Sequence, residues 1–591
     1  MTKNKKRAWF PLLIGFVAGV GIAAAAGVAA YNVYLEAKRP KRYQVSLSED
    51  MTIPLPGGGL VYAASSLDRI FKDGHTLVKP AIRKSVDVSA ARHEYESFQV
   101  VVKAGEQPVR TVSLEISDLT EENGESKIEK ANISWRVVGY VPTIKPYYPV
   151  KYVGLWPDPL MPAAATEVDP GSTQPFWVTI YVPPDAKAGN YSGLITVKAE
   201  GASSVEIPLK LRVYDFTLPV ESRFKTAFDF YGHETFKRYP QGEKESAEAY
   251  DARLATINDK FIMAMLRYRI NPILNIDPTK DSELALVDRY RVLGLNNFSI
   301  GKRGGTLGNN WPKDDGGIEG LLGLYRTYGE MLKLNKFLPY TYIYTWDEGK
   351  LGNPDVAKLC SMIHRAYPGL KNMVCYHGFW DPDKHPGWGK DIDIWTFQID
   401  NFNLEKMRKL TDLGLEIWMY ISGPGGYGTP NLAMDFDSMD YRIVPWLCWK
   451  YDIKGFLYWC VNWWPKVDPF KNAQNSKWEQ NANGLLLYPG EDGPIASLRI
   501  EIFRDGMEDY EYIQALLDKM KIIKRQKLAG PFEKFYDQSK SLLTVDAKIA
   551  EAMDKFTRDG EVLKARRNAI AEKIEEFDRF YKAQTDPVPQ P

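Results

Sequence analysis

Short alternations of hydrophobic and polar residues dominate the chain from about residue 51 to residue 215. Runs of β-branched and aromatic residues are separated there by Gly, Pro and Asp. The clearest runs are 98–103, 133–141, 176–182, 191–199 and 205–213. Because a period of two places one face of each strand in a core, this pattern predicts a β-sandwich of antiparallel strands over residues 51–215.

The pattern changes after Phe216, where short apolar runs begin to alternate with longer segments of helical periodicity. The predicted helices include 247–268, 318–334 and 354–366. The predicted strands are 226–231, 271–275, 297–300, 340–346, 373–376, 392–397, 416–421 and 455–461. Eight strands, most of them followed by a helix or a long loop, predict a (β/α)₈ TIM-type barrel over residues 216–494.

The last part of the chain, residues 495–585, is predicted to be a helical C-terminal region. Ile502, Tyr510, Ile513 and Leu517 mark the apolar face of one helix, and a second helical stretch rich in Lys and Glu runs from about 545 to 583. Such mixing of charges is typical of a solvated helical face. The Pro-rich end, residues 586–591, is predicted to be a disordered tail. The predicted fold class is therefore multidomain: an N-terminal β-sandwich, a central α/β barrel and a helical region.

The N-terminus carries a basic cluster at residues 3–7, followed by a stretch without charge from Ala8 to Leu35. An apolar stretch of this length is long enough to span a bilayer, with the basic flank on the cytoplasmic side. Small residues at 28–30 also suit signal-peptide cleavage, although the length favours a retained anchor. Residues 1–35 are thus predicted to be a signal peptide or membrane anchor and 36–50 a linker, so that the rest of the chain is exported.

Charge and composition narrow the classes of molecule that the chain is expected to bind. The formal net charge of +1 gives no indication of nucleic-acid binding. The four cysteines, Cys360, Cys375, Cys448 and Cys460, show no CxxC spacing and are predicted to be buried small hydrophobes. The six histidines show no HExxH pattern. We therefore expect no essential metal and no cofactor.

Two adjacent carboxyl residues follow the predicted fourth strand of the barrel. An aromatic and β-branched run from Pro339 to Trp346 leads into Asp347, Glu348 and Gly349. Barrel sites are built at the C-terminal ends of strands, which makes the pair a candidate acid–base site. Taken alone, an Asp-Glu pair after a strand is more often a solvated loop.

The spacing of the pair suggests how it would act. Successive side chains on a strand diverge, so neighbours do not easily flank a sugar from both sides, as the carboxyls of ordinary retaining glycosidases do. A different division of roles suits them: Glu348 protonates the leaving oxygen, and Asp347 stays ionised. Asp347 then orients a 2-acetamido group of the substrate, whose carbonyl acts as the nucleophile. Two close carboxyls push their pKa values apart, which favours one acid and one anion at the same pH.

Aromatic and polar residues near other predicted strand ends are candidates for binding sugars. Aromatic planes with a few amides and hydroxyls bind the apolar C–H faces of sugar rings. The candidate substrate-binding residues are Trp459, Asn462, Trp464, Tyr420, Trp418, Tyr458, His233 and His377. For each of them, packing or another structural role is the competing interpretation.

Several runs resemble glycoside hydrolase family 123 and its related bacterial domains, over roughly residues 50 to 520. They are 94–99 (EYESFQ), 188–193 (AGNYSG), 346–348 (WDE), 455–459 (GFLYW) with Asn462 and Trp464, 488–490 (YPG) and 504–512 (RDGMEDYEY). The last run resembles a structural helix of the family. One departure is Gly349, which follows the acid pair where the family pattern often carries Pro.

The resemblance implies β-N-acetylgalactosaminidase activity by substrate-assisted catalysis, with the acid pair at Asp347 and Glu348. The expected substrate is a glycan or glycolipid with a terminal β-linked N-acetylgalactosamine or related 2-acetamido sugar. One alternative is a glycosidase for another sugar, with Asp229, Asp400 or Asp435 as nucleophile. The other is a non-catalytic glycan-binding surface protein.

Overall fold

The structure is a computed structural model that describes residues 42–55, 58–301, 311–312, 314–423, 428–464, 468–474 and 479–585. The predicted N-terminal anchor or signal peptide and the predicted disordered tail lie outside these ranges. No helix within them is both long enough and apolar enough to cross a membrane. All four cysteine side chains are buried, as the sequence predicts.

The front of the chain forms two large sheets. Their strands, together with a small pair made by β1 and β4, are β1 (Tyr43–Gln44), β2 (Ile53–Leu55), β3 (Gly59–Ser65), β4 (His75–Thr76), β5 (Val86–Arg92), β6 (Glu94–Lys103), β7 (Val109–Ile116), β8 (Leu119–Glu121), β9 (Lys127–Ile128), β10 (Ile133–Pro142), β11 (Leu155–Met161), β12 (Thr166–Val168), β13 (Thr173–Val182), β14 (Gly189–Lys198) and β15 (Val205–Thr217). One sheet has the order β11-β10-β13-β6-β3-β2. The other has the order β12-β7-β14-β15-β5, with β8 and β9 beside β14.

Both sheets contribute to one apolar core. Val100 and Phe176 from the first sheet and Ile195 and Leu209 from the second are buried in the same cluster. Along most of β15, buried and exposed residues alternate, because one face of the strand meets this core and the other meets solvent. Pairing within the sheets is antiparallel except between β15 and β5. All five strands named from the sequence are present here with small differences at their ends.

The middle of the chain forms a barrel-like sheet of parallel strands. Its members are β16 (Lys225–Phe228), β17 (Phe298–Ser299), β18 (Thr341–Asp347), β19 (Asn372–Tyr376), β20 (Ile394–Gln398), β21 (Glu416–Ile421) and β22 (Gly455–Tyr458). The order is β16-β22-β21-β20-β19-β18-β17, so the last strand pairs with the first. Side chains from six of these strands form a separate apolar cluster, among them Met373, Ile394 and Leu457.

The predicted second barrel strand, 271–275, is present only as a bridging segment. Pro272 makes a single parallel bridge to Phe228, and Ile276 makes one to Ile300. Proline has no N–H to donate, and Asn275 adopts a left-handed φ of 54°, so a regular strand cannot run through this segment. The segment nevertheless occupies the gap between β16 and β17.

Helices follow most of the parallel strands and fill the C-terminal region. They are α1 (Gly232–Arg238), α2 (Ala247–Arg267), α3 (Asp281–Val292), α4 (Asp315–Leu334), α5 (Pro354–Ala366), α6 (Leu404–Asp412), α7 (Ser438–Tyr451), α8 (Leu498–Gln526), α9 (Pro531–Leu543) and α10 (Gly560–Thr585). Short 3-10 turns lie at Lys130–Asn132, Leu338–Tyr340 and Ile399–Asn401. Short strand pairs are β23 (Leu487–Pro489) with β24 (Pro494–Ala496) and β25 (Ala550–Ala552) with β26 (Lys555–Phe556). The helix predicted from about 545 therefore begins only at Gly560.

The interpretation of the acidic helix as a solvated face is wrong for α8, in which every residue from 498 to 513 is buried. Its acidic side chains are paired with arginines from other parts of the chain. Asp509 accepts two hydrogen bonds from Arg442, at 2.8 and 2.9 Å, and Glu501 accepts one from Arg136 at 2.8 Å. Burial of so many charges is tolerated only with such partners. The helix thus joins the front sheets to the barrel-like sheet.

Candidate active site

A cavity of about 700 Å³ opens at the C-terminal ends of the parallel strands. Asp347, the last residue of β18, and Glu348, the next residue, both line it. Aromatic rings contribute much of the remaining wall, namely Tyr147, Tyr231, Tyr344, Tyr420, Trp459 and Trp463. Apolar walls with a few convergent polar groups are typical of a ligand pocket.

The backbone explains how two neighbouring carboxyls reach the same cavity. The register between β18 and β19 shifts after Tyr344, so that Thr345 is an extra residue in β18. Glu348 then leaves the strand with a left-handed φ of 43°, while its N–H donates to the carbonyl of Cys375 at 2.9 Å. A bulge followed by a left-handed residue re-aims side chains that would diverge on a regular strand. Such strain at a site is characteristic of functional positions.

Gly349 fits tightly under the indole of Trp346. A Cβ atom at this position would lie 2.0 Å from the Trp346 Nε1 atom, which no side chain tolerates without movement of the indole. Trp346 is itself buried. After the acid pair the chain turns back closely over Trp346, and this close approach explains why position 349 is a glycine.

Asp347 is reached by water through the cavity mouth but is surrounded by its walls. The hydroxyl of Tyr344 donates to Asp347 Oδ1 at 2.8 Å. Burial raises the pKa of Asp347 above its ordinary value, and the negative charge of Glu348 adds to the increase. The Tyr344 hydrogen bond opposes this increase of the pKa but does not cancel it.

Glu348 contacts a small polar network in the wall of the cavity. Tyr420 donates its hydroxyl to Glu348 Oε1 at 2.7 Å, and His377 Nε2 lies 3.6 Å from Oε2. The other imidazole nitrogen, Nδ1, is 2.7 Å from Gln398 Oε1. The Gln398 amide nitrogen lies 3.2 Å from the Ser422 hydroxyl, and the Tyr420 hydroxyl lies 3.3 Å from His377 Nδ1, so Tyr420, His377 and Gln398 form one network.

Several residues predicted to bind substrate lie at this site. Trp459 and Tyr420 line the cavity, and His377 reaches Glu348. His233 lies beside the cavity wall, where its ring stacks on Tyr231 at 5.2 Å between centroids. Of these four residues, His377 directly follows β19, Tyr420 lies in β21, Trp459 directly follows β22 and His233 lies in α1, which is consistent with a site built from several strand ends.

Asn462 and Trp464 have structural contacts instead. Asn462 is buried, and its side chain accepts from the N–H of Tyr231 at 2.8 Å and donates to the carbonyl of the same residue at 3.0 Å. Trp464 is buried as well and donates its indole N–H to the carbonyl of Leu487 at 2.8 Å. The prediction that they contact substrate is not supported by their positions, because packing occupies both side chains.

The side chains of Tyr458 and Trp418 are also buried and hydrogen-bonded within the protein. The Tyr458 hydroxyl donates to Asn483 Oδ1 at 3.1 Å, and the Trp418 indole donates to Glu416 at 2.8 Å. Both rings are buried. Position near a strand end was the signal for all four of these residues, and it does not distinguish side chains that line the cavity from those buried beside or below it.

Other cavity residues were not singled out from the sequence. Tyr344 and Gln398 lie in or at the end of predicted strands, so strand ends alone would have indicated them. Tyr147 and Gln480 come from loops distant in sequence, and no local pattern marks them. Within the described ranges, no group of three or more His, Cys, Asp or Glu side chains is placed to hold a metal ion.

The three alternative nucleophiles have different surroundings. Asp229 lines the cavity and accepts from the N–H of Phe230 at 2.9 Å. Asp400 accepts from the Thr429 hydroxyl at 2.6 Å. Asp435 is buried, and burial raises its pKa to about 6. Of the three, Asp229 is the one placed in the cavity wall.

Two family models match the chain. The catalytic domain of glycoside hydrolase 123 matches residues 328–516, and the glycoside hydrolase 123 N-terminal domain matches residues 65–199. Together the two matches cover more than half of the 591 residues. The first includes Asp347 and Glu348, and the second lies within the front sheets.

The fold is shared with a solved structure. A family 123 glycoside hydrolase from Clostridium perfringens, analysed for glycolipid glycan hydrolysis, is 16% identical with a TM-score of 0.68, over 89% of this chain and 100% of that chain. A family 39 glycoside hydrolase from Bacteroides cellulosilyticus WH2 is 11% identical with a TM-score of 0.33, over 72% of this chain and 81% of that chain. No curated protein matches the chain in sequence.

The matched catalytic domain and the acid-lined cavity at its strand ends define the chain as a glycoside hydrolase. It cleaves glycosidic bonds. The chain belongs to glycoside hydrolase family 123.

Proposed function

We propose that this glycosidase removes terminal β-linked N-acetylgalactosamine, or a related 2-acetamido sugar, from glycans or glycolipids with retention of configuration. The observation that carries the proposal is the presentation of Asp347 and Glu348 to one cavity of about 700 Å³. Neighbouring carboxyls held by one turn suit an acid and an orienting anion better than an acid and a separate nucleophile across the sugar.

In the first step Glu348 is the general acid. Its proton passes to the glycosidic oxygen as the bond from that oxygen to the anomeric carbon breaks. The acetamido carbonyl oxygen of the same sugar forms a bond to the anomeric carbon, giving an oxazolinium ion. Asp347 accepts the amide N–H and stabilises the positive charge that develops there.

In the second step Glu348 acts as a base. Its carboxylate takes a proton from a water molecule, whose oxygen attacks the anomeric carbon and opens the oxazolinium ring. The acetamido group is restored, and the sugar leaves with its original configuration. The Tyr420 hydroxyl, 2.7 Å from Glu348 Oε1, keeps the carboxyl in one orientation through both steps.

The raised pKa of Asp347 sets a condition on this mechanism. The role requires an anion, and burial in the substrate-free cavity disfavours the anion. The Tyr344 hydroxyl already favours it, and the amide N–H and cationic intermediate of the substrate add to that stabilisation. Asp347 is therefore fully ionised only once the sugar is bound or the pH exceeds its raised pKa.

A second candidate function is that of a glycosidase acting on a different sugar. Because Asp229 also lines the cavity, a glycosidase for a sugar without an acetamido group would use it as nucleophile, with Glu348 as acid. A non-catalytic glycan-binding protein is the remaining alternative from the sequence, and the family match favours an enzyme over it.

A panel of aryl β-glycosides with and without the 2-acetamido group tests the proposal. We expect hydrolysis of the aryl β-N-acetylgalactosaminide, its loss in Glu348→Gln, and tight inhibition by a thiazoline mimic of the oxazolinium ion. Equal rates on sugars with and without the acetamido group contradict the mechanism. Loss of activity in Asp229→Asn but not in Asp347→Asn favours the separate nucleophile.

We further propose that the front sheets are the predicted β-sandwich and the ring of parallel strands the predicted (β/α)₈ barrel. The shared apolar core of the front sheets and the pairing of β16 with β22 support this. On the sequence of residues 1–35 alone, we propose that the enzyme is exported and held at the cell surface if that segment is retained.

A further inference from the structure

Thr345 is the extra residue of β18, inserted where the register with β19 shifts. Tyr344 before it and Asp347 after it both line the catalytic cavity. Ile343 and Trp346 pack instead in the large apolar core that the sheet shares with the helices. Two consecutive residues, Thr345 and Trp346, therefore stand between two cavity residues, where the regular alternation of a strand allows only one.

A buried hydrogen bond joins Thr345 to the neighbouring strand. Its hydroxyl donates to Asn372 Oδ1 at 2.9 Å, and the carbonyl of Ile343 is a second acceptor at 3.2 Å. Asn372 is the first residue of β19 and pairs with Ile343. Thr345 and Asn372 are both fully buried, so water does not replace the bond if it is lost. The bond therefore constrains where the extra residue of β18 can lie.

Asn372 is itself fixed by contacts with two other elements. Its amide nitrogen donates to the carbonyl of Cys360, in α5, at 3.2 Å and to the carbonyl of Asp391 at 3.0 Å. Its backbone N–H donates to Asp393 Oδ2 at 2.6 Å. Because both carbonyls need a donor, the amide oxygen of Asn372 is the atom that accepts from Thr345. The extra residue is thus attached to a side chain that α5 and the segment before β20 hold in place.

The location of the extra residue decides how the strand end presents the acid pair. With Thr345 inserted, the Tyr344 hydroxyl donates to Asp347 at 2.8 Å, and the N–H of Glu348 donates to the carbonyl of Cys375 at 2.9 Å. On a regular strand Tyr344 and Asp347 would lie on opposite faces of the sheet. A displacement of Thr345 therefore changes the orientation of Asp347.

We propose that Thr345 is a positioning residue for the glycosidase reaction, in which its hydrogen bond to Asn372 fixes the bulge and so keeps Asp347 directed at the substrate. Thr345 is buried and is not among the cavity-lining residues described, so it acts through Asp347 and does not contact the sugar. The inference rests on the proposed function, which gives Asp347 its part in catalysis.

Thr345→Val tests this role, because valine has nearly the shape of threonine and lacks the hydroxyl. On the aryl β-glycoside that the parent enzyme hydrolyses fastest, we expect kcat/KM to fall about tenfold to a hundredfold. The acid limb of its pH profile should move to higher pH, because a displaced Asp347 loses the Tyr344 hydroxyl that favours its anion. The substitution replaces none of the other titratable groups near Asp347, which are Glu348, Cys375 and His377.

Thr345→Ser keeps the hydroxyl and should retain the parent pH profile. Thr179→Val is the matched control, since it removes a buried hydroxyl that lies 3.0 Å from the Ser97 hydroxyl in the front sheets. It should lower the thermal midpoint as Thr345→Val does and leave kcat/KM and the acid limb at their parent values. If Thr345→Val also leaves both kinetic properties unchanged, the residue has only a structural role and the proposal is overturned. Thr345→Ala gives the same comparison if valine prevents folding.

A crystal structure of Thr345→Val reports on the bulge without requiring turnover. We expect the Tyr344 hydroxyl and the Asp347 carboxylate to separate beyond hydrogen-bond distance. An unchanged bulge with the 2.8 Å contact intact overturns the inference. A displaced Asp347 supports it even if the parent protein hydrolyses no 2-acetamido glycoside, an outcome that contradicts only the proposed function.

Discussion

Tyr344 and Asp347 lie three residues apart on one strand, and the tyrosine hydroxyl donates to the aspartate at 2.8 Å. On a regular strand, residues three apart face opposite sides of the sheet. The extra residue at Thr345 returns them to the same side. The bulge therefore supplies Asp347 with a hydrogen-bond donor as well as presenting it to the cavity.

Replacement of Tyr344 is expected to change the pH dependence of activity. The mechanism needs ionised Asp347, whose pKa is raised by burial, so activity is lost as the pH falls through that raised value. Tyr344→Phe removes a donor that favours the anion, which raises the pKa further. The acid limb of kcat/KM should move to higher pH by about 0.5–1 unit. Tyr325→Phe, in α4, is the control. If the acid limb of the kcat/KM profile stays in place in Tyr344→Phe, the result argues against a role for ionised Asp347.

The role of Glu348 as acid predicts a dependence on the leaving group. Glu348→Gln should lower kcat/KM by about 10²–10⁴ for substrates whose leaving group needs a proton. Aryl glycosides with strongly acidic phenols depart without one, so their rates should fall much less. Rates that fall equally across a series of phenols would assign the proton to another group.

Gly349 is expected to be intolerant of any side chain. Gly349→Ala places a Cβ atom 2.0 Å from the Trp346 indole, which must move and carry the acid pair with it. Overpacking of this kind costs about 1–3 kcal/mol, and kcat/KM should fall with the thermal midpoint. Gly378→Ala is the matched control, because no atom lies within 4 Å of its added Cβ. Similar behaviour of the two variants would show that the Trp346 contact is unimportant.

A buried ion pair is expected to hold the front sheets to the C-terminal helices. Arg499 in α8 donates to both oxygens of Asp158 in β11, at 2.9 and 2.8 Å, and both side chains are fully buried. Arg499→Met removes the bidentate partner of this carboxylate and leaves Arg69, 3.7 Å away, as its remaining arginine, which should cost about 3–5 kcal/mol, seen as a lower thermal midpoint. The partly exposed pair of Arg212 with Glu575 provides the control, since Arg212→Met should cost less than about 1 kcal/mol.

The strands and the acid pair were predictable because their signals are local. Alternation along 205–213 and the apolar run before Asp347 each follow from the period of a strand. The bridging segment at Pro272 departs from its predicted strand for an equally local reason, the missing N–H. Orientation at a strand end was not predictable, because the bulge at Thr345 depends on pairing with β19.

The remaining differences come from contacts between distant parts of the chain. Tyr147 and Gln480 meet in the cavity although 333 residues separate them. The charges of α8 appear solvated from the sequence because their arginine partners lie on other elements, as Arg442 does for Asp509. Without the fold, neither the meeting of Tyr147 with Gln480 in the cavity nor the burial of this helix can be predicted.

The most direct test of the central claim is the rate of hydrolysis of aryl 2-acetamido glycosides carrying none, one, two or three fluorine atoms on the acetamido methyl group. Each fluorine withdraws electrons from the carbonyl oxygen and makes it a poorer nucleophile. If the substrate's own acetamido group attacks the anomeric carbon between Asp347 and Glu348, kcat/KM falls steeply with each fluorine. A flat series would show that a side chain of the protein is the nucleophile and would contradict the account.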